Sequence, residues 1–195
     1  MHIRNLTAAL LLIAAAGATQ AATVTLAPSA GTVAQNSNFT VNLVLNATDA
    51  PGAHPGSFGG AVIVDFSNSL LSYNTFTLAG GVTYIPANGG PVVATNGTTQ
   101  TVTVAFENAL DAGVGGTFSF KAIGAPGSLA LIGLVDADDF AGSFVNSNPT
   151  NQRFYPTITG TQVNISAVPL PAGGWLLGTA VGALAARRRF RRAGR

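Results

Sequence analysis

The amino-acid sequence predicts an all-β fold: an antiparallel β-sandwich flanked by an N-terminal signal peptide and a C-terminal hydrophobic helix. Three observations predict the sandwich. Between Ala22 and Ser166 apolar residues recur at alternate positions, the period of a half-buried strand and not of a helix. Turn-forming Gly, Pro and Asn punctuate those runs at short intervals. The chain of 195 residues contains no cysteine, so a core must hold the domain without disulfides, and no thiolate zinc site or thiol nucleophile is available. The stretch from 22 to 166, about 145 residues, suffices for one domain that buries roughly two thirds of its unfolded surface.

The chain opens with "MHIRNLTAALLLIAAAGATQAA". Arg4 supplies a charged start, an apolar run follows from Leu6 to about Ala18, and small residues stand at Ala18, Thr19, Ala21 and Ala22. This is the layout of a secretory signal peptide over residues 1–21, because the run is too short to span a bilayer. Cleavage is expected after Ala21, with Ala18 and Ala22 as alternatives. The secretion machinery is therefore the first partner.

The strands follow in order. "SNFTVNLVLN" places Phe39, Val41, Leu43 and Leu45 on one face and Thr40, Asn42, Val44 and Asn46 on the other. "GGAVIVDF" offers Val62, Val64 and Phe66 as its apolar set, "TQTVTVAFE" offers Val102, Val104 and Phe106, and "GTFSFKA" offers Phe118 and Phe120. "LALIGLV" is apolar on both faces, the pattern expected of a strand near the middle of a packed layer. "TQVNI" closes the series with Val163 and Ile165 inward. Between these runs stand Ala50-Pro51-Gly52, Asn88-Gly89-Gly90-Pro91, Asn96-Gly97 and Ala125-Pro126-Gly127. Asn96-Gly97 predicts a tight hairpin, since both residues tolerate positive φ. Eight to ten short strands at this spacing imply the sandwich.

Two stretches carry a resemblance to a family. "GGAVIVDFSNSLLSYNTFTLAGG" resembles the cohesin pattern of a strand ending in an aromatic-Asp pair, then a Leu, then a second strand. Asp65-Phe66 stands in reversed order, and Leu70 or Leu71 takes the Leu position. "GGTFSFKAIGAPGSLALIGL" resembles the cohesin stretch in which a strand ends in Phe-x-Ala, here Phe120, Lys121 and Ala122. The resemblance implies a jelly-roll, cohesin-like sandwich over residues 22–166, a fold shared with family 2 and 3 carbohydrate-binding modules. It also implies a binding role, toward a dockerin-like protein or a polysaccharide such as an exopolysaccharide.

The tail has three parts in fixed order. Val168, Pro169, Leu170, Pro171 and Ala172 are held extended or in turns by their two prolines. Leu170 to Ala186 carries no charge and, as a helix of roughly 25 Å, sits at the short end of what crosses a bilayer. Arg187, Arg188 and Arg189 begin an arginine cluster that holds this end on the cytoplasmic side, with Trp175 suited to the opposite interface. The segment 167–195 resembles the PEP-CTERM class of sorting signals in its VPLPA-CTERM variant, with the central acid of Pro-Glu-Pro replaced by Leu170. That resemblance implies a Gram-negative bacterium in which an exosortase processes the tail after transient anchoring in the inner membrane. The protein would then reach the cell surface or extracellular matrix. A lasting membrane tether is the plainer alternative.

Charge and chemistry narrow the function further. Arg4 and six tail arginines account for most of the nine basic residues, which leaves Lys121 and Arg153 in the middle against seven acids. The middle is acidic and unsuited to tracking phosphates, which argues against nucleic acid. No catalytic constellation is present: His54 is flanked by turn residues, "PGSFGG" lacks nucleophile-elbow spacing, and "GVGGTF" lacks the last glycine of a dinucleotide fingerprint. The protein reads as no enzyme, and as needing no cofactor unless calcium binds. Asp136, Asp138 and Asp139 are candidate calcium ligands as clustered hard oxygens, although the Gly and Glu of a calcium loop are missing. A charged turn that keeps a sheet edge soluble is the simpler reading and explains them better. Tyr73, Tyr84 and Tyr155 are candidate sugar-stacking rings, because flat aromatics bury apolar area against pyranose faces.

Overall fold

Alternating apolar positions give each strand one greasy face, and two sheets bury those faces against each other. In the computed structural model the described residues are 22–47, 58–85, 89–110, 112–137, 144–146 and 152–168. The signal peptide 1–21, His54 and everything from Pro169 onward lie outside them.

One sheet has five strands: β1 (Thr23–Pro28), β3 (Asn38–Asn46), β5 (Leu71–Leu78), β9 (Ala112–Ala122) and β13 (Thr157–Thr159), in the order β13-β1-β3-β9-β5. The other contains β2 (Thr32–Ala34), β4 (Phe58–Ser67), β6 (Thr83–Tyr84), β7 (Val92–Asn96) and β8 (Thr99–Ala109). It is completed by β10 (Leu129–Asp136), β11 (Phe144–Asn146), β12 (Gln152–Phe154) and β14 (Thr161–Ser166). Its path runs β12-β11-β4-β10-β14-β2, and β8 lies along the opposite flank of β4 and carries β6 and β7 on its own far side. The all-β sandwich is thus as expected. Its strands outnumber the eight to ten expected because pieces of two or three residues are too short to show a period.

The two ends of the domain are clasped together. β1 pairs parallel with β13, and β2 pairs parallel with β14. Both chain segments change sheets at the same place, between β1 and β2 on one side and at Gly160 on the other. Parallel neighbours need a long connection, and here the whole domain between them is that connection. These two pairs are the exceptions to an otherwise antiparallel sandwich.

The interior follows the predicted alternation. Phe39, Val41, Leu43 and Leu45 are buried from β3, Val62, Val64 and Phe66 from β4, and Val102, Val104 and Phe106 from β8. Phe118 and Phe120 of β9 and Val163 and Ile165 of β14 complete the set. Aromatic rings join the sheets: Phe66 meets Phe120 edge-on at 5.1 Å, and Phe120 also lies 5.8 Å from Phe39 and 6.2 Å from Phe118.

Two expectations need correction. The β7–β8 hairpin exists, but Asn96 is its last paired residue, opposite Thr99, so the loop residues are Gly97 and Thr98. Positive φ is needed at the first loop position only, and Gly97 supplies it at 59°. The second concerns "LALIGLV". Ala130, Ile132 and Leu134 are buried, but Leu129, Leu131 and Val135 are not, since on the outer face of β10 the described residues cover only Gly133, through Asp65.

Candidate functional site: the outer face of the nine-stranded sheet

The two outer faces of the sandwich differ in chemistry. On the five-stranded sheet the outward positions are mostly polar: Asn38, Thr40 and Asn42 of β3, Thr117, Ser119 and Lys121 of β9, and Thr75 and Thr77 of β5, with one apolar pair, Val44 beside Val114, at the end of β3 and β9. These hydroxyls and amides also bond one another: Thr117 Oγ1 donates to Asn42 Oδ1 at 2.9 Å, and Asn74 Nδ2 donates to Ser119 Oγ at 3.3 Å. That is an ordinary solvated face of an antiparallel sheet.

The nine-stranded sheet presents something else. Its pairing aligns Val135, Ile63, Thr103 and Val92 in one row across β10, β4, β8 and β7. The next row is Gly133, Asp65, Thr101 and Ala94. Leu131 and Leu129 extend the apolar ridge of β10 beside Gln162 and Asn164 of β14. At the other end Ala61, Ala105 and Ala137 form a small buried cluster with Ile63 and Ile85 against it. Leu131 is 63% exposed and Val135 49%, values at which a strand normally carries polar side chains.

Two described carboxylates stand on this face, Glu107 beyond Ala105 and Asp65 beside the ridge. Asp65 lies between Gly133 and Thr101, and a Cβ on Gly133 would run into its carboxylate. The missing side chain is what lets the acid fold over β10. Beside Leu131, Gly133 and Gly160 leave a shallow open depression of about 530 Å³, further lined by Ile132, Thr161 and Gln162. A Cβ on Gly160 would stand against the backbone of Ile132, so the two strands approach closely there. A flat field of small side chains, a ridge of leucines and a shallow hollow together suit a complementary protein surface.

The residues singled out from sequence fall elsewhere. Tyr73 and Tyr84 are half-buried against the core; Tyr73 packs edge-on to Phe120 at 6.0 Å, and Tyr84 Oη donates to the Phe76 carbonyl at 3.4 Å. Burial, with a smaller contribution from Tyr84, pushes the Tyr73 hydroxyl up to about 12, and burial also raises Tyr84. Tyr155 alone exposes its ring, at 76%. Asp136 ends β10 half-buried, while Asp138 and Asp139 lie outside the described residues. Val168 is the last described residue, and the sorting positions Pro169 to Ala172, Trp175 and Arg187 to Arg189 lie beyond it. Of the residues that carry the family resemblance, Phe66, Leu71, Phe120 and Ala122 are buried in the core, Leu70 is partly buried against it, Lys121 lies on the outer face of the five-stranded sheet, and Asp65 lies on the candidate face. Leu129, Leu131 and Val135 went unnoticed as site residues because an apolar strand reads as buried on both faces until its neighbours are known.

Comparison with known proteins bears on the fold. No family model matches the chain, and no curated protein matches it in sequence. Solved structures do match. The structure is similar to the seventh ScaB type I cohesin from Pseudobacteroides cellulosolvens, at 10% identity over 77% of this chain and 96% of that one, with a TM-score of 0.53. It is also similar to the cohesin of a type I cohesin–dockerin complex from Clostridium thermocellum, at 10% identity over 73% and 99%, with a TM-score of 0.51. A type II cohesin domain from the cellulosome of Acetivibrio cellulolyticus gives 10% identity over 74% and 95%, again with a TM-score of 0.51. The chain therefore has a cohesin-like sandwich fold.

Proposed function

We propose that this chain is an exported, non-enzymatic binding module that docks a dockerin-like protein on the outer face of its nine-stranded sheet. The observation that carries the proposal is the uncovered apolar ridge Leu129, Leu131 and Val135 beside Ile63, where the opposite sheet presents a mostly polar outer face broken by the single pair Val44 and Val114. A contiguous apolar field on a soluble domain marks an interaction surface more often than a surface facing only water. The cohesin-like fold supports the same reading, and one of the similar structures is a cohesin in complex with a dockerin.

The test compares the full-length chain with Leu131→Asp and, as a control on the other face, Thr77→Asp. Each is immobilised and offered the secreted proteins and the soluble polysaccharide of the native host. A protein captured by the unaltered chain and by Thr77→Asp should lose affinity at least about tenfold with Leu131→Asp, the scale of an anchor residue at an interface centre. Equal capture by all three would overturn the choice of face. Retention of polysaccharide alone would overturn the choice of partner.

Export and sorting form the second half of the proposal, supported by the leader at residues 1–21 and the ordered Pro motif, apolar run and arginine cluster at 168–192. In this reading an exosortase-type enzyme processes the tail and releases the domain to the surface or matrix. The intact mass of the protein from its host's envelope and medium decides this. A product ending near Pro169–Ala172, bare or with an added group, is expected; a mass running through to Arg195 would make the tail a lasting anchor.

A further inference from the structure

Sheet edges carry unpaired backbone groups, and natural proteins shorten, bend or charge them to prevent pairing. Most edges of this sandwich are treated that way. β2, β12 and β13 have three residues each and β6 has two, while β5 is irregular between Tyr73 and Thr75. β7 has none of these protections. It pairs with β8 in unbroken register from Val92↔Thr103 to Asn96↔Thr99, and no described strand pairs with its other flank. All five of its residues are exposed, Val92 at 53% and Val93 at 46%. The chain has no charged residue anywhere from Phe66 to Phe106, so no lysine or acid guards the strand.

Register decides which backbone groups are free. With Gly97 and Thr98 as the loop, Asn96 and Thr99 are the closing pair of the hairpin. Asn96, Ala94 and Val92 then turn their N–H and C=O groups toward β8, and Val93 and Thr95 turn theirs outward.

We propose that two copies of this chain pair through β7, antiparallel, about a two-fold axis at Ala94. In that arrangement Val93 of each copy faces Thr95 of the other, and the outward groups of both close about four backbone hydrogen bonds. Composition and length favour a second copy as the occupant: two β7 strands are equally uncharged and equally long, so the pairing sets no like charges opposite each other and leaves no outward backbone group of either strand without a partner. The pairing is independent of the docking proposal, although it extends the row ending in Val92 from one copy toward the other. An interface this small makes a weak dimer that forms where the chain is concentrated.

The absence of cysteine makes the test direct. Two Ala94 residues at the axis form a non-hydrogen-bonded pair with Cα atoms about 4.5 Å apart, within disulfide reach. Full-length Ala94→Cys, in detergent under mild oxidation, should form a covalent dimer at least about tenfold faster than Thr77→Cys on the other sheet. Adding Thr95→Lys to Ala94→Cys should return the rate to that of the control, because the charge guards the edge. Equal rates for Ala94→Cys and Thr77→Cys would overturn the proposal, and so would a fast rate that survives Thr95→Lys. Sedimentation of the unaltered full-length chain over a concentration series should show a monomer–dimer equilibrium; a monomer throughout would overturn it as well.

Discussion

Gly60 shows how far a single hydrogen atom can govern the packing of this sandwich. It lies on the inward face of β4, where a Cβ would run into the ring of the fully buried Phe144. Phe144 packs 6.3 Å from Phe106, so the buried ring yields only by displacing other core atoms. Gly60→Ala should therefore destabilise the fold by about 1–3 kcal/mol, the usual cost of forcing a methyl group into a filled core. Gly80, where an added Cβ meets nothing within 4 Å, is the matched control, and its alanine variant should stay within about 0.5 kcal/mol of the parent. Urea unfolding of the two variants measures both; equal midpoints would mean that Phe144 moves aside without cost. Nothing in "GGAV" announces this role, because a glycine that makes room for a ring looks the same in sequence as one that makes a turn.

At the scale of elements, legibility depended on whether a strand obeys period two over enough residues. β3, β4, β8, β9 and β14 do, and their inward sets were readable residue by residue, Phe39 to Ile165. β10 obeys no period, and its sequence alone suggested cover on both sides. The structure supplies cover on one side only, from the core, and leaves Leu129, Leu131 and Val135 as the ridge of the candidate site. The site was thus invisible for the reason that makes it a site: its residues have core chemistry in a surface position. The parallel clasp of β1 with β13 and β2 with β14 was equally illegible, since pairing between segments more than a hundred residues apart leaves no local pattern. The hairpin turn was legible to within one residue, because Asn-Gly marks the place but not which pair closes it.

The molecule as a whole rests on one core with no covalent reinforcement, and Phe120 is where that dependence concentrates. Its ring contacts Phe39, Phe118 and Tyr73 within its own sheet and Phe66 from the other, so it lies on both the lateral and the cross-sheet packing of the sandwich. Removing it leaves a cavity bounded by four other rings that are themselves fixed by strand register, which limits collapse. Phe120→Ala should cost about 3–5 kcal/mol, toward the upper end for core truncations. Against a typical domain stability of about 5–15 kcal/mol, and with no disulfide to limit the unfolded ensemble, that loss brings the domain near its threshold. Phe120→Leu retains most of the volume and should cost about half as much. Because all the large buried side chains among the described residues belong to one cluster, both variants should unfold in a single transition, with circular dichroism and tyrosine fluorescence coinciding. If Phe120→Ala instead gave two separated transitions, the sheets would be holding independently, and the cross-sheet contact with Phe66 would not be what joins them.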